Sequence, residues 1–317
     1  MTRLPRAGDS KAGGGPRRDD NRYMTFEEGL RTIIGDCLSH IRSHEAGVAA
    51  GADPESVHQM RVGLRRLKCA LQLFAPARPP WRAQRDELDG LATTLGAARD
   101  WEVLVSDTLP SLDADCHVDA GWAALQHAVR SVARENGRAA AAAVRSPRYR
   151  QLMAELQAWV DGADRRDALS VTERDALQAP LRYAADRALC RQHARLIKRG
   201  RRPGHATAAQ RHRARIAAKQ LRYETGFFQA MYAAPRVERF TAALGALQDV
   251  LGMLNDAVVA RGLLRRLAGD QPAVAPTARA AIEALARRRR SGRHALSRSW
   301  ARFARAKRPW AGPRTRT

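Results

Sequence analysis

One pattern is written twice in this chain, and it constrains the fold more than any other feature. His58-Gln59-Met60-Arg61-Val62-Gly63-Leu64-Arg65-Arg66-Leu67-Lys68 returns 154 residues later as His212-Arg213-Ala214-Arg215-Ile216-Ala217-Ala218-Lys219-Gln220-Leu221-Arg222. A second echo follows in the same order. Leu88, Leu91, Leu95, Gly96, Arg99 and Asp100 correspond to Leu244, Leu247, Leu251, Gly252, Asn255 and Asp256, now 156 apart. Two matches at nearly one offset read as a tandem duplication, each half several helices long.

Apolar spacing makes those units helical. Leu30, Ile33, Ile34, Cys37, Leu38 and Ile41 fall on one face of a helix. Asp53-Pro54-Glu55 supplies an N-cap, a proline at the first helical position and an acidic first turn, opening a helix that runs to about Phe74. Amphipathic stretches follow at about 82–107, 119–144, 147–161, 173–199, 206–232, 236–268 and 275–306. No segment alternates with period two over a useful length. The expected fold is all-α: two tandem four-helix bundles related by internal duplication, with a pseudo-twofold axis. Residues 1–21 read as a disordered tail, 22–165 as the first bundle, 166–307 as the second and 308–317 as a basic C-terminal tail. The seam falls in the polar stretch Asp161–Thr172.

On a helical wheel the repeated helix has two adjacent stripes. Val57, Met60, Leu64, Leu67, Leu71 and Phe74 share an arc of about 100°. His58, Arg61, Arg65 and Lys68 share an arc of about 80° beside it. In the second copy Ala214, Ala218, Leu221, Thr225 and Phe228 form the packing stripe, and His212, Arg215, Lys219 and Arg222 the cationic one. A solvated face normally mixes signs, because opposite charges at i, i+4 help and like charges cost a few tenths of a kcal/mol. Neither stripe contains an acid, and both recur, which points to an anion held there. For His58 and His212 two roles remain open: donation to an anion, or a structural hydrogen bond. Arginine neighbours argue against a metal, and no metal site or cofactor is expected.

Charge sharpens the class of partner. The 317 residues carry 56 Lys+Arg against 32 Asp+Glu, a net +24, and only five of the cations are lysine. Residues after 200 hold 25 basic and 6 acidic groups. Such an excess calls for a polyanion. No apolar run suggests a membrane span, the N-terminus has no signal-peptide pattern, and the four cysteines are widely spaced without CxxC, so a reducing, cytoplasmic setting is expected. Flanking basic stripes lie at Arg187, Arg191, Arg195, Lys198 and Arg202, and along the last helix from Arg287 to Arg305. Trp310 falls in the basic tail, outside the helical pattern.

With those residues in view, the sequence resembles the CHAD domain, a histidine-bearing α-helical domain of many bacteria and archaea. The resemblance rests on the motifs at 58–68 and 212–223, the Leu-Gly-x-x-Arg/Asn-Asp segments at 95–100 and 251–256, and Ser146-Pro147-Arg148-Tyr149. It spans about residues 23–307. It implies two four-helix bundles and a basic central surface that binds inorganic polyphosphate, with an association to polyphosphate granules and in some cases storage-polyester granules. Carried onto this chain, the implied contacts are His58, Arg61, Arg65, Arg66 and Lys68 in one half, and His212, Arg215, Lys219 and Arg222 in the other. Arg191 and Arg195 extend the track from a flanking stripe. Arg66 meets Gln220 in the second copy and lies off the cationic arc.

Polyphosphate has roughly one charge per phosphate and no bases, so it requires a row of cations and little else. Arginine suits it, since its planar fork donates two hydrogen bonds to phosphate oxygens. Nucleic acid fits less well: aromatic residues are 5% and the cationic stripes contain none, so stacking platforms are missing and nonspecific attraction remains. No nucleophile elbow, P-loop or HExxH motif is present, and the expected role is binding rather than catalysis, with no catalytic residues. Asp100 and Asp256, in matched places, are expected to orient an arginine or cap a turn. The competing classes are a granule-coat or scaffold protein that recruits partners, and an enzyme of polyphosphate or nucleotide metabolism.

Overall fold

The computed structural model describes residues 24–51, 53–73, 82–112, 120–162, 170–201, 203–288 and 292–310. The expected N-terminal tail, Phe74, part of the seam, Arg202, Arg289, Arg290 and residues 311–317 lie outside them. Thirteen α-helices are described: α1 Phe26–Arg42, α2 Glu45–Gly51, α3 Pro54–Leu73, α4 Arg82–Val103, α5 Leu109–Leu112, α6 Ala120–Arg145, α7 Pro147–Val160, α8 Val171–Gln178, α9 Leu181–Arg199, α10 Ala208–Phe228, α11 Ala234–Asp270, α12 Ala275–Arg288 and α13 Gly292–Ala304. Among the described residues there is no strand, only an isolated bridge between Thr25 and Pro180. The all-α expectation therefore holds.

Local chemistry sets the boundaries. Thr25, Ser170 and Thr207 each close a capping box, with Glu28, Glu173 and Gln210 respectively. Such a cap contributes about 1 kcal/mol. Asp53 caps α3 as expected, its carboxylate accepting from the Ser56 N–H at 2.8 Å. Some expected stretches break. The single helix at 173–199 becomes α8 and α9, because Ala179 before Pro180 is extended, at φ −59 and ψ 146. The 275–306 stretch becomes α12 and α13. α4 ends at Val103, and one wider π turn, Leu104–Thr108, follows.

The predicted packing stripes are the buried ones. Val57, Met60, Leu64, Leu67 and Leu71 on α3 are buried, as are Ala214, Ala218, Leu221, Thr225 and Phe228 on α10. The echo leucines Leu88, Leu91, Leu95, Leu244, Leu247 and Leu251 are buried too. Each buried leucine contributes about 1.5–3 kcal/mol. Helices pack most closely within their own half: α3 on α1, α4 on α3 and α6, then α10 on α9 and α11, with α11 against α12 and α13.

The apolar cores do not stop at the seam, however. One cluster joins Leu30, Leu64 and Leu152 to Leu189, Leu221, Phe240 and Phe303. The other joins Trp101, Leu112, Trp122 and Leu125 to Leu264, Leu267 and Ala281. Helix α11 is the beam between them; its 37 residues give about 55 Å of helix.

Two expectations change here. α11 is long and apolar enough to pass for a membrane span by length and composition, contrary to the sequence reading. Within this fold its Phe240, Leu244, Leu247, Leu251, Leu254 and Leu264 are buried in the protein core. Trp310 is not in a free tail. It is buried, with its ring centroid 5.1 Å from that of Phe240, so the packed chain reaches at least to residue 310.

Candidate functional site

Helix α3 meets α10 across the two halves. Cys69 Sγ lies 3.8 Å from the Gln220 carbonyl, and Gln220 donates to Gln72 Oε1 at 2.7 Å. This crossing turns the two cationic stripes toward a common groove of 240 Å³. His58, Arg61 and Arg65 of α3 enter it from one side, and Arg215 and Lys219 of α10 from the other. Asp100 and Arg99 at the end of α4 and Asp256 of α11 complete the walls. The π turn contributes Leu104, Asp107 and Thr108.

The carboxylates do what their spacing suggested. Arg61 Nη2 lies 3.6 Å from Asp100 Oδ1, and Arg215 Nη2 lies 4.0 Å from Asp256 Oδ1. Each half thus holds its arginine against its own aspartate at the matched repeat position. Gly96 clears the space for the first pair: a Cβ there would come within 2.8 Å of Arg61 Nη1.

Five cations face three carboxylates here, and they crowd one another. Burial presses Arg61 down to about 10; Asp100 opposes this, while Arg65, Arg99 and, from the other half, Arg215 add to it. Burial likewise brings Lys219 down to about 7, with Arg65 and Arg215 pushing the same way. His58 is lowered by burial and then by Arg99, both of which favour its neutral form. Asp100 is raised, first by its burial. The Nε donors of Arg65 and Arg215 are shielded from solvent and hydrogen-bond to nothing among the described residues. A buried donor without an acceptor costs about 1–3 kcal/mol. A multiply charged anion with many acceptor oxygens relieves both the crowding and the unmatched donors.

Not every anticipated residue reaches the groove. Lys68 is ion-paired to Asp89, and Arg222 donates to Gln248 Oε1 at 3.3 Å, one helical turn beyond the groove on either helix. His212 is exposed, its Nδ1 3.0 Å from Asn255 Oδ1. Arg66 of α3 lies over the ring of Phe227 on α10, 5.7 Å from its centroid, and does not line the groove. Arg191 and Arg195 lie on α9, acting on the buried Glu224. Arg99, Asp107 and Thr108 were missed by the stripe argument. For Arg99 the signal was present, since it sits beside Asp100 in the second echo.

His40 and His44 stack edge to face with centroids 5.0 Å apart, and His40 Nε2 is 3.2 Å from the Gln59 carbonyl. No group of three or more potential metal ligands occurs among the described residues.

Comparison with known proteins agrees with this architecture. The chain is similar over 93% of its length to the crystal structure of the CHAD domain from the plant Ricinus communis, covering 98% of that chain with a TM-score of 0.80 and 36% identity. PptA from Streptomyces chartreusis shares the fold at 19% identity, with a TM-score of 0.59 over 89% of this chain and 99% of that one. No curated protein matches the sequence. The CHAD domain family model matches residues 32–265, which include both cationic helices and both Leu-Gly segments. This chain belongs to the CHAD domain family.

Proposed function

We propose that this protein binds inorganic polyphosphate in the groove between α3 and α10. The family is associated with polyphosphate. The observation that carries the reading is the convergence of Arg61, Arg65 and Arg99 from one half with Arg215 and Lys219 from the other, partly buried and mutually repelling. Such a row suits a flexible chain of phosphates that offers oxygens along its whole length. Affinity then falls with salt, with a log–log slope of roughly −0.7 per phosphate neutralised, by analogy with single strands. We read the role as binding rather than catalysis, since two of the three aspartates of the groove, Asp100 and Asp256, face its arginines. Attachment to polyphosphate granules in the cytoplasm follows from the same chemistry, and nonspecific contact with nucleic acid follows from net charge.

The test is a titration with long-chain polyphosphate at about 150 mM salt, with excess single- and double-stranded DNA present. It is repeated on Arg61→Ala/Arg65→Ala/Arg215→Ala/Lys219→Ala, whose helicity is checked by circular dichroism. The reading stands if the wild type keeps polyphosphate against DNA and the folded variant loses about 100-fold or more, as removal of several charge-assisted contacts requires. It falls if DNA displaces polyphosphate at equal phosphate concentration, or if the variant binds as well. Release of orthophosphate during the titration would instead favour an enzyme.

A further inference from the structure

A second cavity, of 640 Å³, lies beside the groove within the first half, between the end of α2, the start of α3, α4 and α6. Arg99 lines both cavities. Beyond it the wall is built by α6, which presents Arg130, Arg134, Arg138 and Arg145. At 100° per residue these four fall within an arc of about 80° and extend about 22 Å along the helix axis. The floor beside them is small and apolar, with Ala133, Gly137 and Ala141 on α6 itself and Ala98 on the facing α4, so side-chain bulk does not fill the space. Glu102 is the one acid on the wall.

The arginines of α6 are little used by the protein. Arg130 donates to Gln126 at 3.1 Å, and Arg145 donates to the Ala141 carbonyl at 3.3 Å, both on their own helix. Arg134 and Arg138 are exposed and form no ion pair among the described residues.

The corresponding place in the second half is different. Ala208, Arg211, Leu254, Asn255 and Val258 stand where Pro54, Val57, Ala98, Arg99 and Glu102 stand in the first. Among the described residues that cavity, of 310 Å³, is lined by α10 and α11 alone, with Arg211 and Arg213 on α10 and no row of arginines from a third helix. Its Asn255 is occupied by His212.

We infer that the anion track is one-sided. A polyphosphate chain seated between α3 and α10 continues over Arg99 into the arginine-walled cavity of the first half, along Arg130, Arg134 and Arg138, and meets no equivalent row among the described residues of the second half. The ligand class is a linear polyphosphate longer than the central groove holds. This inference rests on the polyphosphate reading of the groove. It adds a length requirement: short chains occupy the groove alone, and long chains gain the α6 contacts.

The experiment compares triphosphate with long-chain polyphosphate on three full-length proteins: wild type, Arg134→Ala/Arg138→Ala, and Arg265→Ala/Arg266→Ala. The last pair is exposed on α11, away from both cavities, and removes the same charge. The α6 variant is expected to lose at least 10-fold on long chains and less than 2-fold on triphosphate. Its salt slope on long chains should flatten by about 1.4, two phosphate contacts' worth. The α11 variant should match wild type on both ligands within 2-fold. Equal losses for the two variants, or an unchanged α6 variant, overturn the one-sided track while leaving the groove intact. If the wild type binds neither ligand, the groove reading itself falls and the extension with it.

Discussion

Arg99 and Asn255 hold the same place in the two echoes, yet their surroundings diverge. In the first half Arg99 bridges two basic cavities, and α6 stands across from it with a row of arginines. In the second half Asn255 bonds His212 and lines a smaller cavity with Leu251, Leu254 and Val258. The glycines diverge likewise. A Cβ on Gly96 would press on Arg61, whereas one on Gly252 meets nothing within 4 Å. Yet Arg61–Asp100 and Arg215–Asp256 are alike. A sequence repeat therefore preserves the paired charges at the centre of the molecule while the flanks specialise. The centre is shared by both halves and constrains both copies. Each flank answers only to its own neighbours.

Exchanging the bridging residues tests this asymmetry with the largest effect. Arg99→Asn, which makes the first half resemble the second, is expected to weaken long-chain polyphosphate binding by about 10-fold or more, the loss of one charge-assisted contact to phosphate. Asn255→Arg should gain less than 3-fold, because no row of arginines like that of α6 continues beyond it among the described residues. Direct titration of both variants at one salt concentration decides the point; equal and opposite effects would make the halves equivalent.

Titration separates the two cationic stripes next. Lys219 stands opposite Arg65 in the repeat, and lysine at about 7 can lose its proton where arginine cannot. Its ordinary value is 10.5. Between these two pH values the unfolded chain carries a proton that the free folded protein lacks, so this group's effect on stability improves as pH rises through that window. A bound phosphate restores the charge, so binding takes up a proton. Affinity is expected to fall by up to about tenfold per pH unit above pH 7. Lys219→Arg should flatten that slope, and calorimetry in buffers of different ionisation enthalpy should show the proton uptake disappear. Persistence of the slope in Lys219→Arg would assign it to another group.

The glycine pair gives a smaller effect. Gly96→Ala is expected to displace the Arg61 guanidinium and weaken binding about 3-fold, with little loss of stability, since the side chain that must yield is flexible. Gly252→Ala should leave binding unchanged and raise stability by up to about 1 kcal/mol, the helix preference of alanine over glycine. Thermal melts and titrations of the two variants read both quantities. Similar binding by both would remove the seating role of Gly96.

Least in magnitude is a difference outside the groove. On the far face of α10 Glu224 is buried, its Oε2 without a hydrogen-bond partner among the described residues, and burial raises it to about 8 against the pull of Arg191 and Arg195. Below that value the folded protein keeps a proton that the unfolded chain releases above its ordinary 4.5, so this group's contribution is lost as pH rises toward and through 8. Glu224→Gln is expected to raise Tm at pH 8.5 by about 2–4 °C, with no change at pH 4. Binding in the groove should not respond. A Tm shift equal at both pH values would mean that packing, rather than ionisation, is the cause.

Much of this was legible in the sequence. Periodicity identifies the helices because burial of an apolar stripe follows 3.6-residue spacing wherever a helix packs. The wheel also separates the packing face of α3 from its cationic face, and the repeat ties Arg61 to Arg215 and Asp100 to Asp256. The helix breaks at Pro180 and after Val103 were less visible. The first needs the backbone preference of the residue before proline, and the second is a local widening with no residue signature of its own.

The sequence by itself determined that this chain is helical and that it carries two matched rows of cations without acids, the ground for proposing an anionic partner. Those properties depend on neighbours three, four and seven positions away along one helix. Tertiary structure alone decided which cations act together. An 80° stripe is longer than the groove it enters, so the crossing of α3 and α10 selects Arg61, Arg65, Arg215 and Lys219 and leaves Lys68 with Asp89 and Arg222 with Gln248. It also brings in Arg99 and the π turn from helices that no wheel places nearby. Charge repulsion falls off with distance and is screened by water, so only the packed fold determines which like charges are held close enough to require an anion.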